Sequence, residues 1–303
     1  MPARLTRRGF TAVELLVALA IGGLVTAAIV GVLRRQQRFF TNASGLVEQR
    51  VSLRDATGIL PGELRALAPS SGDVLAFSDS ALEIRATIGA AIVCDTIAGG
   101  GAIALAPARA LSGTPVSAFA TMPQAGDIAL VYDARSPDAA SDDQWTGLEV
   151  ADVSSGTTVC AASPFVDRAD PAAPRLILRF ASTSRVPATA SPGAFVRVLR
   201  RVRYRFYRAG TGEWFLGYSE WDGAAYSVVQ PVSGPFAPYS RRGASGLTLR
   251  YRDSLGAELA VGDDPARIAR VDVIVRSITR ESLAGATARL IDSQAINVRV
   301  RNR

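Results

Sequence analysis

One uninterrupted apolar run near the N-terminus constrains this chain more than any other feature. From Phe10 to Leu33 the sequence reads FTAVELLVALAIGGLVTAAIVGVL, with a single charge, Glu14, and no proline. As a helix rising about 1.5 Å per residue it would reach roughly 36 Å, enough to cross a bilayer core of about 30 Å. Met1 to Gly9 is basic (Arg4, Arg7, Arg8) and free of acids, and Arg34, Arg35 and Arg38 end the run on its other side. With arginines on both flanks, charge does not decide the orientation of the segment.

Three readings of this region compete. A secretory signal would use the small-residue site Ala18-Leu19-Ala20, but the run continues to Leu33, past the usual signal core of about 7–15 residues. A plain single-pass anchor explains the length but leaves Glu14 without a reason, because an acid inside a spanning helix is costly and normally has a partner. The third reading accounts for both. Arg7-Arg8-Gly9-Phe10-Thr11-Ala12-Val13-Glu14-Leu15-Leu16 resembles the class III signal of type IV prepilins and type II secretion pseudopilins.

That resemblance implies a cut between Gly9 and Phe10 by a membrane prepilin peptidase, which methylates the new N-terminal Phe10. It also implies that Glu14, fifth in the mature chain, serves assembly and axial register. Ala12-Val13 departs from the Leu-Ile commoner in the family but keeps the apolar character. The physics agrees with those roles. Cleavage exposes an α-amino group with a reference pKa of about 8, and a bare ammonium or carboxylate in lipid carries a desolvation penalty of several kcal/mol. Glu14 can offset both by pairing with the Phe10 amine of its own chain or of a neighbour.

Composition narrows the chemistry. The 303 residues are 48% hydrophobic and 20% charged, which excludes a disordered or polytopic membrane protein and leaves ample surface for a core. There is no histidine, and all 34 basic side chains are arginine, for a formal net charge of +7. Histidine-dependent triads, zinc sites and haem ligation are therefore excluded, as are Schiff-base and Walker A lysines. A hydrolase built on two carboxylates needs no histidine, but no pair of acids in the sequence marks one. Neither an enzyme nor a cofactor is expected.

From Arg34 to Leu67 the residues Leu46, Val47, Val51, Leu53, Ile59, Leu60, Leu64 and Leu67 suit an amphipathic continuation of the helix, with breaks allowed at Gly45, Gly58 and Pro61-Gly62. Phe39-Phe40 suits either an interfacial anchor or packing against the head. From about residue 70 the pattern turns to period two, the mark of half-buried strands. It holds over Leu82–Ile88, Ile128–Val131, Leu176–Phe180 and Leu247–Tyr251. The longest case runs from Phe195 to Tyr207, with Val196, Val198, Val202, Tyr204 and Phe206 on one face and Arg197, Arg201, Arg203 and Arg205 on the other. Arg200 interrupts the apolar face. Trp214–Trp221 reads as its hairpin partner, and strands near residues 268–278 and 288–300 close the chain. Long loops at residues 99–101, 107–115, 134–143 and 182–193 read as insertions on one head.

The expected fold is therefore α+β and pilin-like: a long N-terminal α-helix, its first half transmembrane, packed on a β-rich C-terminal head with long loops. The expected divisions are a cleaved leader (1–9), a membrane and assembly helix (10–33), its amphipathic continuation (34–68) and an extracytoplasmic head (69–303). A second resemblance, through Arg200–Tyr204, Gly246–Gly256 and Ala269–Val273, is to the larger minor pilins of the PilW-like and J-type kind, which sit in a tip complex.

Cys94 and Cys160 lie 66 residues apart. In an oxidising compartment they would form a disulfide stabilising by about 4 kcal/mol in the chain-entropy model, the alternative being two separate buried thiols. Asp138, Asp142 and Asp143, and Asp263-Asp264, could offer oxygen ligands to Ca²⁺, but neither loop has EF-hand spacing and solvated turns account for them, so no metal is expected. Four arginines on one strand face suit phosphate, yet no signature of a DNA-binding fold accompanies them. A solvated or intersubunit salt-bridge surface is the reading, and nucleic acid is not an expected partner. The expected partners are other pilins through the N-terminal helix, prepilin peptidase, the assembly machinery and the inner membrane. The head would stand in the periplasm before assembly and in a pilus or pseudopilus afterwards.

Overall fold

The computed structural model describes residues 11–109, 113–135, 143–157, 160, 175–190, 192–241, 243–279 and 289–301. Among these residues a single α-helix, α1 (Ala12–Ala66), runs unbroken for 55 residues. The described residues then form fourteen strands: β1 (Val74–Phe77), β2 (Ala81–Ile97), β3 (Ala102–Leu105), β4 (Ala118–Phe119), β5 (Ile128–Asp133), β6 (Gln144–Gly156), β7 (Arg175–Phe180), β8 (Phe195–Arg208), β9 (Trp214–Glu220), β10 (Gln230–Phe236), β11 (Leu247–Arg252), β12 (Glu258–Leu259), β13 (Arg270–Ile278) and β14 (Ile291–Arg299). The fold is α+β, a long apolar N-terminal helix on a β-rich antiparallel head.

The breaks allowed at Gly45, Gly58 and Pro61-Gly62 do not occur; Pro61 lies inside the helix. An interior proline costs about 3 kcal/mol and a glycine about 1 kcal/mol. Packing outweighs them. Leu53, Ala56, Leu60, Pro61 and Leu64 are buried in the head, and each fully buried leucine contributes about 1.5–3 kcal/mol. The buried stripe differs from the one expected. Gln49 and Ser52 face inward, whereas Val47, Val51 and Ile59 are exposed. The two polar residues are satisfied there: Gln49 Nε2 donates to the carbonyls of Ser277 and Leu290, both at 3.1 Å. Ser52 Oγ donates to the Gly234 carbonyl at 2.6 Å, and Ser233 Oγ donates to the Ser52 carbonyl at 2.7 Å.

Two cores share two strands. In the first, β2–β3–β7–β6–β5–β8 pair in sequence, all antiparallel, and the pairing of β8 with β2 closes the ring. Closure removes strand edges from this part of the head. Val93, Ile103, Val131, Val150, Leu178 and Val198 lie in its interior. In the second, β8 runs past the end of β5 and pairs over Val202–Arg208 with β9, followed by β10 and the β11–β13–β14 group. The stripe of α1 shares this core with Leu82, Ile84, Val202, Tyr204, Val271 and Val273.

Arg200 marks the seam. On the inward face of β8, Val196 and Val198 belong to the closed ring, and Val202, Tyr204 and Phe206 to the helix-backed core. Between them Arg200 fills the gap where β5 has stopped and β9 begins. Its Nε and Nη2 each donate to Asp127 at 2.9 Å, its Nη1 to Glu220 at 3.0 Å, and Nη2 also to the Met122 carbonyl at 2.9 Å. The interruption of the apolar pattern is thus a buried ion cluster, fully bonded as a buried charge must be.

Candidate functional site

The chemistry of the N-terminus begins at Thr11, the N-cap of α1. Its extended backbone (φ −79°, ψ 151°) and hydroxyl start the helix, and Glu14 occupies the third helical position. The two form a reciprocal capping box. Thr11 N donates to Glu14 Oε2 at 2.9 Å, Thr11 Oγ1 donates to the same oxygen at 3.1 Å, and Glu14 N donates to Thr11 Oγ1 at 3.3 Å. Glu14 is therefore not a bare carboxylate in an apolar helix. Two donors on the preceding turn hold it at the helix N-terminus, where the backbone dipole also favours negative charge. Gly9 and Phe10, the expected cleavage and methylation positions, lie outside the described residues.

Every residue of α1 from Ala12 to Thr41 is exposed. This is the only helix among the described residues long and apolar enough to cross a membrane, and its most apolar stretch is not buried by the protein at all. A face that the head does not cover must be covered by lipid or by other chains. Phe39 and Phe40 are 69% and 66% exposed, which rules out packing against the head. They follow Arg34, Arg35 and Arg38, so that aromatic rings and cations fall together just beyond the apolar span.

Residues 4–30 match a family model, the prokaryotic N-terminal methylation motif. The chain carries a type IV prepilin-like N-terminus. In that setting the length and composition of the apolar helix fit a membrane anchor. No curated protein and no solved structure matches the chain. The matched segment covers most of the basic N-terminal stretch, the capping box and most of the apolar run, and leaves the head to be read from its own geometry.

Elsewhere the expected candidates fall as follows. Cys94, in β2, and Cys160 are disulfide-bonded, with Cα atoms 5.2 Å apart, and both are buried beside Ala102, Ala104 and Ile177. Asp138 and Asp142 lie outside the described residues, while Asp143 accepts a hydrogen bond from the Tyr132 hydroxyl. Asp263 accepts from Ala260 N at 2.8 Å and Asp264 from Ala266 N at 2.9 Å, both as turn residues.

The arginine face of β8 is partly matched by an acid from β2 that the sequence reading did not single out. Glu83 accepts from Arg201 Nε at 2.6 Å and from Arg203 Nε and Nη2 at 3.2 and 2.8 Å. Burial pushes the Glu83 carboxyl up, but hydrogen bonds from Arg203, Tyr226 and Arg201 outweigh it and hold the group below the usual carboxylate value. The guanidinium of Arg201 lies 4.7 Å from the Trp221 ring centroid, and that of Arg203 lies 3.8 Å from Tyr226. Only an alternation of acid and base across paired strands, Glu83 opposite Arg203, could have signalled this.

Proposed function

We propose that the chain is a minor pilin or pseudopilin, a structural subunit of a type IV pilus or a type II secretion pseudopilus. The observation that carries this reading is a methylation motif set on a helix that the head leaves uncovered over its whole apolar length. Prepilin peptidase removes residues 1–9 by cutting between Gly9 and Phe10 and methylates Phe10. Residues 10–33 anchor the precursor in the inner membrane, residues 34–68 carry the helix into the head, and the head from residue 69 onward stands in the periplasm.

Glu14 then pairs with a Phe10 amine, and pairing across subunits sets axial register as the chain enters a filament. The capping box supports this role, because it holds the carboxylate against Thr11, the residue that follows Phe10 in the sequence. The likeness of Arg200–Tyr204, Gly246–Gly256 and Ala269–Val273 to PilW-like and J-type subunits supports a place in an initiation or tip complex. These segments lie on β8, β11 and β13 of the helix-backed half. The proposed role is assembly, with no catalysis by the chain itself.

Intact mass and N-terminal sequencing of the membrane-extracted protein test the reading. A chain starting at Phe10 with one added methyl group is expected. An uncut N-terminus, or a cut near Ala20 or Ala28, would overturn it.

A further inference from the structure

The outward face of β2, β8, β5 and β6 carries a groove of about 520 Å³, within the range of small-ligand sites. Strand register places its contents. Arg85 stands directly opposite Arg201, and Leu199 is flanked by Ile128, which in turn faces Glu149. Two strand spacings, about 10 Å, therefore separate Glu149 from the Leu199 position. Ile128, beside the buried Leu199, forms an apolar floor, Arg85 and Arg201 stand at one end, Glu149 at the other, and Trp221 forms a wall.

The cationic end is pre-formed. Arg201 is fixed by Glu83, by the Tyr226 hydroxyl at 2.9 Å and by the face of Trp221, leaving its Nη1 without a hydrogen bond among the described residues. Arg85 is held through Nη1 to the Gly72 carbonyl at 3.1 Å, leaving Nε and Nη2 similarly open. At the other end, Glu149 has no ion-pair partner among the described residues. The open Nε/Nη2 edge of Arg85, with Arg201 Nη1 beside it, matches a carboxylate. A lone acid across an apolar floor accepts hydroxyl donors. The second carboxylate in the lining, Glu83, disfavours a polyphosphate such as DNA, whose charges recur about every 1.7 Å along the duplex axis.

We propose that this groove binds an acidic saccharide, with the ligand carboxylate on Arg85 and Arg201, its ring over Ile128 against Trp221, and its hydroxyls on Glu149. The site is independent of the N-terminal chemistry and would give a filament subunit an affinity for uronate-bearing polymers. The test is binding of glucuronate, galacturonate and N-acetylneuraminate, and of short polyuronates, to the full-length protein in a detergent without a sugar headgroup. Calorimetry would be run with glucose and a duplex oligonucleotide as comparisons.

At least one acidic sugar should saturate the protein while glucose does not. Arg85→Gln and Glu149→Gln should each weaken that binding tenfold or more, and Arg205→Gln, outside the groove, should leave it unchanged. The unfolding midpoint of each variant controls for folding, and either groove variant suffices if the other fails to fold. The proposal is overturned if no acidic sugar binds up to ~20 mM, a limit set by the weakest useful affinities. It is equally overturned if glucose binds as well, if both groove variants bind normally, or if the oligonucleotide binds and displaces the sugar.

Discussion

Replacing Asp127 with alanine isolates what the seam between the two cores contributes to stability. Asp127 is 1% exposed and the Arg200 side chain 4%, so the variant leaves a buried guanidinium without its bidentate partner. Removing one member of a buried pair costs about 3–5 kcal/mol, mostly through the stranded charge. Glu220 remains at 3.0 Å from Nη1, but it is one-third exposed and compensates only in part. The expected loss is therefore about 3 kcal/mol, a large share of a typical stability of 5–15 kcal/mol. Urea unfolding of the detergent-solubilised chain, followed by tryptophan fluorescence, is the assay, since Trp221 adjoins Glu220 and reports on the seam. Arg200→Met should cost as much, because it leaves the Asp127 carboxylate, among the described residues, only the backbone N–H of Gln124 at 2.8 Å. The double variant Arg200→Met/Asp127→Ala should recover much of the loss, with a coupling of about 2 kcal/mol or more. Single variants costing less than about 1 kcal/mol, or strict additivity in the double, would refute the account of Arg200 as a charge-satisfied seam.

Other outcomes follow from the same structure. Glu14→Ala should be processed and inserted normally but incorporated poorly into filaments, as immunoblots of membrane and sheared-filament fractions would show. Burial raises the Glu63 carboxyl above its usual value, so the folded state binds its proton before the unfolded one does. Its charge is a burden at neutral pH that fades as pH falls through the raised value. Glu63→Gln should accordingly melt higher than the parent at pH 7, with the difference vanishing in acid. Glu83 has the opposite sign: its depressed value contributes stability above the ordinary carboxylate range that is lost as pH falls through the lowered value, so Glu83→Gln should flatten the acid limb of the melting profile. Opening the 66-residue loop with Cys94→Ala/Cys160→Ala should cost up to about 4 kcal/mol, and an unchanged denaturation midpoint would remove the bridge from the stability account.

What the sequence made legible was whatever depends on near neighbours along the chain. The membrane span is a local run, and β8 shows its alternation within a dozen residues. Arg200 stood out as an exception, but its meaning depends on Asp127, 73 residues away. Helix phase is not legible in the sequence, because Val47, Val51 and Ile59 are as apolar as Leu53 and Leu60. Only the position of the sheet decides which stripe is inward, and it selects Gln49 and Ser52, whose side chains meet carbonyls at strand ends. β3 has no alternation, as all four of its residues are buried. β10 contains Pro231 and Pro235, which argue against a strand; its register shifts around them, so the missing N–H groups fall at irregular positions in the ladder. Closure of the ring rests on β3–β7 and β6–β7 pairings that no local pattern announces.

The way α1 is seated determines how the head would answer a mechanical load. A pull on the membrane end travels along the helix axis and enters the head between Gln49 and Leu64. There it meets bonds from Gln49 to Ser277 and Leu290, and from Ser52 to Gly234 and Ser233, together with the leucine stripe. These contacts lie side by side along the direction of pull. They are loaded in shear and must yield together, whereas a helix lifted away from the sheet would release them one at a time. The same residues that tie the anchor to the core thus make the junction strongest against tension along the shaft and weakest against peeling from its flank.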